Sequence, residues 1–576
     1  MDKIEFYDVD QKIHSECLIF RHQLYLRKQK KIKQLAHMKN DKSSRMKTET
    51  KKICPCPCPD PIIFHDRVIN LSDTQFKNNE IKLLNKGLKY APDAIPKSDM
   101  FLSLAIDSEL ALRDQPISVK TEAALRIQEL SNENISPSKT SDNKTLISLK
   151  NKITKKDLII SKADKGQTIT ILNRIDYIKK IEDFISSSGA EILKLDPTDK
   201  YQKHINTTLT KIGNNLPNKF NPFFLKLMNP HAPILYGLPK IHKNNIPIRP
   251  VVSYVNAPAV KICKYLNNLL NNIFVSPFSV SNSLDLIDSL QKVKIQNSFK
   301  LISFDITNLF PSIPITDLKI ILSKLINSSF SVPSQREHIQ NLLDICLNQN
   351  YYIFNNTYYR QNEGLPMGSP LSPLLAEIFM SIMEETILKP NKNKTFFNSI
   401  KFWRRYVDDI LVIWSGSDRQ IQLFINYLNK LHKNIHFTSE IGNGTLAFLD
   451  LQITLTNNKL EYKIFRKPTF TDTVIPFTSN HPMNTKLSAF YSMFNRLIRT
   501  PMNTTNFNSE LNIIYTIGKN NGYDTITLEK IFRKINRKFI ISKFHTLESE
   551  SDKIYSRLPF ISDHISNPIA RILQKK

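Results

Sequence analysis

The stretch "FWRRYVDDILVIW", residues 402–414, places the adjacent aspartates Asp408 and Asp409 inside an aromatic and aliphatic run. Its flanks are short and rich in β-branched and aromatic residues, which predicts a β-hairpin with Val407, Asp408 and Asp409 at the turn. Neighbouring carboxylates repel each other, and ionising both costs more where water is partly excluded. The pattern therefore indicates that something positively charged lies against this turn.

A third carboxylate precedes the hairpin by about a hundred residues. The segment "FKLISFDITNLFPSIP" predicts a strand over residues 299–306 with Asp305 near its end. If this strand lies beside the hairpin, three carboxylates meet at one place. Hard oxygen ligands of this kind suit Mg²⁺, and two such ions can clamp the attacking and leaving oxygens of a phosphoryl displacement. The alternative is an Asp-Asp turn on an exposed hairpin.

Between the acidic segments lies "EGLPMGSPLSPLLAEIFMSIMEETIL", residues 363–388. It predicts a helix with Ser369 as its N-cap, Pro370 at its first position and an apolar stripe running from Leu371 to Ile382. Gly364 and Gly368 carry no Cβ, so the backbone there can approach a flat or phosphorylated ligand. Taken alone, the segment is equally typical of a well-capped core helix.

Ahead of the acids, "LYGLPKIHKNNIPIRPVVS", residues 235–253, predicts a basic hairpin that carries Lys240, Lys243 and Arg249. Proline residues close to Arg249 restrict its backbone, as the binding of a triphosphate by a guanidinium would require. The chain thus presents, in order, a basic hairpin, an Asp strand, a Gly-Ser-Pro helix and an Asp-Asp hairpin. This order is much less expected by chance than any one of its parts.

The bulk composition points in the same direction. The 576 residues carry 80 Lys and Arg against 52 Asp and Glu, a net charge of +28, which favours a polyanionic partner such as nucleic acid. Neither a long apolar run nor a signal peptide is present, so we expect an intracellular protein without a membrane partner. The six cysteines do not make a disulfide framework, and Cys54, Cys56 and Cys58 alternate with prolines. A stiff linker is favoured there over a zinc site.

The rest of the chain predicts a mixture of helices and strands. Residues 1–60 are expected to be a disordered basic arm with a Cys-Pro linker, and a helical region, first capped by Ser72, is expected to continue to about residue 150. The segment "LIISKADKGQTITIL", residues 158–172, predicts two strands joined by a turn at Asp164-Lys165-Gly166. Turns and strands are expected over 231–320, strands over 445–470 and helices beyond 484.

Several of these segments resemble a known family. "FDITNLFPSIP", "GLPMGSPLSPLLAEIF" and "RRYVDDILVIW" resemble motifs A, B and C of reverse transcriptases. "KADKG", "YGLPKIHKNNIPIRPVVS", "LAFLDLQITL" and "FRKPTFTDTVIPFTSNHP" are similar to Penelope-like retroelement reverse transcriptases, and the similarity runs from about Val68 onward. It implies an α+β right-hand polymerase of fingers, palm and thumb with a mainly helical N-terminal extension. The implied boundaries are 61–230 for the extension leading into the fingers, 231–445 for fingers and palm, 446–545 for the thumb and 546–576 for the start of a connector.

The resemblance also implies roles for individual residues. Asp305, Asp408 and Asp409 are the expected catalytic residues and, with Ile306, the expected ligands of two Mg²⁺ ions, for which Mn²⁺ can substitute. Phe310, five positions after Asp305, matches the aromatic residue that excludes a 2′-hydroxyl. The expected dNTP-binding residues are Arg249, Lys240, Phe310, Met367 and Gly368. The expected nucleic-acid-binding residues are Lys162, Lys165, Lys243, Arg466 and Lys467.

The implied activity is RNA-directed DNA synthesis in the nucleus, with an RNA template, a DNA primer and dNTPs as partners. Many members of the family continue into a GIY-YIG endonuclease, and we do not expect one in this chain, because "IIYTIGKNNGY" lacks that enzyme's spaced motifs and is assigned to the thumb. Relatives without the nuclease are associated with telomeres, and the palm of telomerase is similar. Two alternatives remain open: an RNA-dependent RNA polymerase, and a catalytically inactive nucleic-acid-binding relic.

Overall fold

The computed structural model describes residues 64–92, 98–113, 115–132, 141–213, 222–389 and 396–544, together with 560, 566 and 567. All of them belong to one compact unit, Ile62–Lys576. The predicted basic arm, its Cys-Pro linker and nearly all of the predicted connector therefore lie outside the described residues. No helix in the described part of the chain is both long and apolar enough to cross a membrane.

The described residues form a mixed α and β protein whose N-terminal region is mainly helical. The helices are α1 Asn78–Leu84, α2 Ser98–Ala111, α3 Ile117–Asn132, α4 Ser141–Lys155, α5 Arg174–Ser187, α6 Thr198–Ile212, α7 Val260–Asn271, α8 Ser283–Leu290, α9 Leu309–Ser312, α10 Ile315–Ser329, α11 Pro333–Asn348, α12 Ser372–Leu388, α13 Asp418–Leu431, α14 Met483–Arg499, α15 Thr504–Asn520 and α16 Thr525–Phe544. The strands are β1 Val68–Asn70, β2 Leu158–Lys162, β3 Ile169–Asn173, β4 Glu191–Leu193, β5 Ile234–Pro239, β6 Ile248–Ser253, β7 Lys300–Ile306, β8 Tyr351–Phe354, β9 Thr357–Arg360, β10 Ile400–Tyr406, β11 Asp409–Trp414, β12 Phe437–Gly442, β13 Thr445–Phe448, β14 Leu451–Thr456 and β15 Lys459–Ile464.

These strands make four small sheets, with the orders β1-β3-β2, β4-β9-β8-β5-β6, β10-β11-β7-β12 and β13-β14-β15. In the third sheet β11 runs antiparallel to both β10 and β7, and β12 is antiparallel to β7 on its other side. The predicted pairing of the Asp strand with the Asp-Asp hairpin is confirmed. The predicted hairpin around residues 163–168 is confirmed as well, because β2 and β3 pair antiparallel.

The third sheet is buried on both faces, which explains the apolar run in its strands. On β11, Ile410, Val412 and Trp414 join the largest core cluster, whereas Leu411 and Ile413 join a second cluster on the opposite face. This division follows from the period of two along a strand, which sends alternate side chains to opposite faces. The second cluster is completed by residues of β13, β14, β15 and α8.

The predicted starts of two helices were wrong. Ser72 does not cap a helix: α1 begins at Asn78 and is capped through Lys77 and Glu80, whereas the Ser72 hydroxyl donates to Asn70 Oδ1 at 2.8 Å. Likewise, α12 begins at Ser372, not at Pro370, with Pro373 in its first turn. The Ser369 hydroxyl still accepts a hydrogen bond, from the Leu371 amide at 3.3 Å.

Two further expectations need correction. Residues 231–320 contain the helices α7, α8 and α9 and the start of α10 as well as turns and strands. In α7 and α8 the apolar residues recur at helical spacing and are buried on one side. Ile382 of α12 is 40% exposed and does not belong to the buried stripe, although Leu374, Leu375, Ile378 and Phe379 are buried. The helices expected beyond residue 484 are confirmed as α14, α15 and α16.

Candidate active site

The sheet brings the three predicted carboxylates to one end of the β7–β11 pair. Asp305 and Asp409 are direct cross-strand partners, and Asp408 stands in the turn immediately before β11. The Ile306 amide donates to the Asp408 carbonyl oxygen at 3.1 Å, which fixes the turn against β7. Two distant segments thus place three acids side by side through ordinary antiparallel pairing.

The turn itself has an unusual backbone. Val407 has a φ of +56°, in the left-handed region that β-branched residues seldom adopt. Residues held in such conformations cost of order 1–3 kcal/mol and persist where their surroundings fix them. The turn that carries Asp408 is therefore strained, and its neighbours must hold it in place.

The three carboxylates influence one another electrostatically. Partial burial, followed by the charges of Asp408 and Asp305, raises the pKa of Asp409 to about 6. Partial burial and the charge of Asp408 also raise the pKa of Asp305, although Lys165 and Lys243 act in the opposite direction. These shifts show that negative charge accumulates here, as the sequence pattern suggested, and that a cation would relieve it.

Two lysines from separate segments lie close enough to the carboxylates to affect their pKa values. Lys165 and Lys467 both act to lower the pKa of Asp409. Partial burial, then the charge of Lys467, lowers the pKa of Lys165 itself. Gly166, next to Lys165, has a φ of +77° and lies so near Thr469 that an added Cβ would be 2.2 Å from the Thr469 carbonyl oxygen. The two segments are therefore packed directly against each other beside the carboxylates.

The hairpin turn that carries Lys165 is also tied to β5 and β6. The Asp164 side chain is 2% exposed and forms an ion pair of 2.7 Å with Nε of Arg249 on β6. The Asp164 amide donates to the Pro239 carbonyl oxygen at 2.9 Å. The Arg249 side chain remains 46% exposed, so it is held by Asp164 and still accessible to a ligand. Sequence reasoning missed Asp164, because its partner lies 85 positions further along the chain.

The glycine-rich loop before α12 is fixed by main-chain contacts. Val252 on β6 donates to the Met367 carbonyl oxygen at 2.8 Å, and an added Cβ at Gly368 would lie 2.1 Å from the Val252 carbonyl oxygen. The Leu365 amide donates to the Phe310 carbonyl oxygen at 2.8 Å. The loop is therefore pressed against both β6 and the segment after Asp305, and Phe310 packs half-buried against the main core.

The remaining predicted residues lie in varied surroundings. Lys240 and Lys243 are in the loop between β5 and β6, and Lys243 acts on the pKa of Asp305 from there. Lys162 is exposed at the end of β2. Arg466 is 13% exposed and forms a bidentate ion pair with Glu510 of α15, so its predicted nucleic-acid contact stays a prediction.

The donor set fits a divalent metal ion by its chemistry. Asp305, Asp408 and Asp409 supply hard carboxylate oxygens, and a cation between them would remove the repulsion that raises the pKa of Asp409. Within the described residues, no three His, Cys, Asp or Glu side chains form a group that could hold a metal ion as they are placed.

Comparison with known families gives two matches. Residues 241–438 match the model of the reverse transcriptase (RNA-dependent DNA polymerase) family, and residues 473–536 match that of an animal helix-turn-helix domain. The first range contains all three carboxylates, and the second covers α14, α15 and much of α16. No curated protein sequence matches the chain.

Several solved structures are similar to parts of this chain. Telomerase from Candida albicans in complex with a TWJ fragment of telomeric RNA is 12% identical with a TM-score of 0.48, covering 76% of each chain. Apo telomerase from Candida tropicalis is 13% identical with a TM-score of 0.41, covering 83% of this chain and 82% of that one. The Sicinivirus 3Dpol RNA-dependent RNA polymerase is 12% identical with a TM-score of 0.38, covering 64% and 75%.

The match over residues 241–438 indicates an RNA-directed DNA polymerase, a nucleotidyltransferase. Domains of this family generally use divalent metal ions and bind an RNA template.

Proposed function

We propose that this chain is the reverse transcriptase of a Penelope-like retroelement, which extends a DNA 3′ end on an RNA template by two-metal nucleotidyl transfer. The observation that carries the proposal is the meeting of Asp305 with Asp409 across β7 and β11, with Asp408 in the adjoining turn. The Penelope-like assignment is supported by where two of its characteristic segments lie in the structure. The segments "KADKG" and "FRKPTFTDT", on which that resemblance rests, contribute Lys165 and Lys467 to this site.

The proposed metal set is Asp305, Asp408, Asp409 and the main chain of Ile306, with Mg²⁺ as the ion and Mn²⁺ as a substitute. Bound there, two ions would activate the primer 3′-hydroxyl and neutralise charge on the α-phosphate and the departing pyrophosphate. The protein's part is to hold the carboxylates in register, which the pairing of β7 with β11 does. A right-hand arrangement is proposed with fingers and palm over 231–445, thumb over 446–545 and the N-terminal extension over 61–230.

The proposed dNTP site lies on the β6 side of the carboxylates. Arg249, held by Asp164, and Lys240 supply positive charge to the triphosphate, and Lys165 extends this charge toward Asp409. Met367 and Gly368 form a close backbone surface against β6, on which the new base pair would rest. Phe310, fixed through its carbonyl oxygen, is proposed to exclude a ribose 2′-hydroxyl.

The proposed path of the nucleic acid uses the exposed basic residues around the site. Lys162, Lys243 and Lys467 are exposed on different elements, and Lys243 and Lys467 act to lower the pKa values of Asp305 and Asp409 respectively. Exposed positive charge of this kind suits contact with a phosphate backbone without base reading. Arg466 is proposed to contribute to nucleic-acid binding only indirectly, by holding the segment that carries Lys467. A nuclear location follows from the proposed DNA primer.

Primer extension tests the proposal. A DNA primer annealed to an RNA template is incubated with Mg²⁺ and either dNTPs or NTPs, using the wild type, the double variant Asp408→Asn/Asp409→Asn and the control Asp344→Asn. Asp344 is a half-exposed acid of α11 that pairs with Lys319, so its loss removes surface charge only. Extension with dNTPs by the wild type and the control, but not by the double variant, supports the proposal.

Two other results would indicate a different function. Incorporation of NTPs would favour an RNA-dependent RNA polymerase. Tight, salt-sensitive template binding without extension by any of the proteins would favour an inactive nucleic-acid-binding relic.

A further inference from the structure

A fully buried arginine lies directly behind the Asp408 turn. The Arg405 side chain on β10 has no exposed surface, and each of its five N–H donors has an acceptor. Nε and one N–H of Nη2 donate to the two carboxylate oxygens of Glu384, both at 2.9 Å. The other N–H of Nη2 and one of Nη1 donate to the two oxygens of Glu377, at 2.9 and 2.8 Å. The fifth donor reaches the Val407 carbonyl oxygen at 3.2 Å.

The fifth bond connects this buried cluster to the candidate active site. The Val407 carbonyl precedes the Asp408 amide, and the Asp408 carbonyl on its other side accepts from Ile306 at 3.1 Å. Both peptide groups that flank Asp408 are therefore held, one by Arg405 and one by β7. Because Val407 is in the left-handed region at φ +56°, the turn needs such restraints to persist.

Further hydrogen bonds hold the cluster of Arg405, Glu377 and Glu384 in place. Glu377 and Glu384 lie two turns apart on α12, and Trp403 Nε1 donates to Glu384 Oε1 at 2.9 Å. The main chain of Arg405 exchanges hydrogen bonds with Phe278 and Val280, each at 2.9 Å, along the outer edge of β10. A charged group with no exposed surface is expensive to bury, so its complete hydrogen bonding indicates geometric precision more than net stabilisation.

We propose that Arg405, clamped by Glu377 and Glu384, is a positioning residue that holds the strained Val407 turn and thereby sets the geometry of Asp408 for metal binding and catalysis. The inference rests on the proposed polymerase function. It predicts that Arg405, which does not contact the reacting atoms, has a measurable effect on turnover and on metal affinity. Arg405 acts through the Val407 carbonyl, so substrate binding is largely unaffected.

The test compares Arg405→Lys with Arg404→Lys. Arg404 is the adjacent arginine, half-buried, and its Nη1 donates to the Trp403 carbonyl oxygen, so it reports on the loss of an arginine in the same strand. Lysine at 405 keeps the charge but cannot make the five-donor pattern. We expect kcat for dNTP incorporation and Mn²⁺ affinity, measured by electron paramagnetic resonance without substrate, each to fall about 10–100-fold. The KM for dNTP should stay close to that of the wild type, and Arg404→Lys should behave as the wild type.

A second pair of variants separates positioning from folding. Glu377→Gln weakens the clamp at a residue that is 22% exposed, so it tests the cluster if Arg405→Lys fails to fold. Glycine adopts positive φ readily, so Val407→Gly should relieve the strain that Arg405 restrains and restore part of the lost kcat in the Arg405→Lys background. A simple loss of packing would not be repaired in this way.

The outcomes distinguish the two proposals. If the wild type extends primers and both Arg405→Lys and Glu377→Gln fold with wild-type kcat and Mn²⁺ affinity, the positioning role is wrong and the polymerase function stands. Equal losses of kcat in Arg404→Lys and Arg405→Lys would also overturn it. If the wild type itself extends no primer, the proposed function fails first, and Mn²⁺ affinity alone still tests whether Arg405 shapes the site.

Discussion

Two hairpin turns meet at the candidate site. Each contains one residue with a positive φ, and the two turns accommodate that residue in different ways. The turn between β10 and β11 carries Asp408, and its positive φ falls on Val407. The turn between β2 and β3 carries Asp164 and Lys165, and its positive φ falls on Gly166. Glycine takes this conformation without strain, whereas valine must be held there. The first turn therefore depends on the buried Arg405 behind it, and the second needs only its own glycine.

The two turns also differ in how their acids are neutralised. Asp164 has an internal partner, Arg249, at 2.7 Å. The charges that act most strongly on Asp409 are those of the acids Asp408 and Asp305, and with partial burial they raise its pKa to about 6. The comparison teaches that the acid of one turn has an internal cationic partner and serves as a support, whereas the other turn accumulates charge that an external cation would balance. Four predictions test this contrast, from the largest expected effect to the smallest.

Asp305→Asn should reduce primer extension most, by about 1,000-fold or more, because it removes one ligand from the charge-accumulating site. Steady-state incorporation of a single dNTP measures the change. Thr438, the partner of Asp305 on β12, provides the control: Thr438→Val keeps the shape and should retain activity within a few-fold. Normal turnover in Asp305→Asn would mean that the carboxylates at the end of the β7–β11 pair do not bind the metal.

Gly166→Ala should destabilise the protein by several kcal/mol. It adds the cost of a left-handed alanine, about 1–2 kcal/mol, to a clash with the Thr469 carbonyl oxygen worth about 1–3 kcal/mol. Gly444→Ala is a matched control, because Gly444 has φ +78° but no atom within 4 Å of an added Cβ. Thermal unfolding should show a clearly larger loss for Gly166→Ala. Equal losses would show that the approach of Thr469 does not matter.

Asp164→Asn should weaken the support turn without removing a reacting group. With its anchor changed from a carboxylate to an amide, Arg249 should hold the triphosphate less well, and the KM for dNTP should rise about 10-fold with a smaller change in kcat. Single-nucleotide kinetics separates the two parameters. Asp176→Asn, at an exposed acid in the first turn of α5, is the control for charge removal. A fall in kcat at constant KM would contradict the supporting role.

The smallest effect concerns pH. Since the pKa of Asp409 is about 6 in the folded protein and near 3.8 in the unfolded chain, the cost of ionising it in the fold grows from about pH 3.8 to pH 6 and is fully present above pH 6. Asp409→Asn should therefore melt at a higher temperature than the wild type at pH 7.5 in the presence of a chelator. The difference should shrink toward pH 5, as Asp409 becomes protonated. A difference that does not change with pH would mean that Asp409 titrates normally.

Sequence reasoning found the elements of the site because their signals are local. Alternation of side chains and a turn between two apolar runs specify the β10–β11 and β2–β3 hairpins within about fifteen residues each. The same reasoning misjudged the start of α12, where Ser369 and Pro370 resemble a cap and a first turn, because the loop is instead held by β6 through Met367. It also missed α7 and α8, short helices in a stretch rich in turn residues.

By itself, the sequence determined which residues carry negative charge, which strands bear them and that a positive partner is required. Only the tertiary structure decided which of two adjacent arginines is buried: Arg405 meets Glu377 and Glu384, whereas Arg404 does not. It likewise decided that Asp164 anchors Arg249 and that Lys165 and Lys467 converge on Asp409. The physical reason is that strand patterns arise from neighbours along the chain. The partners of a buried charge are set by which distant elements pack together, and no local pattern encodes that choice.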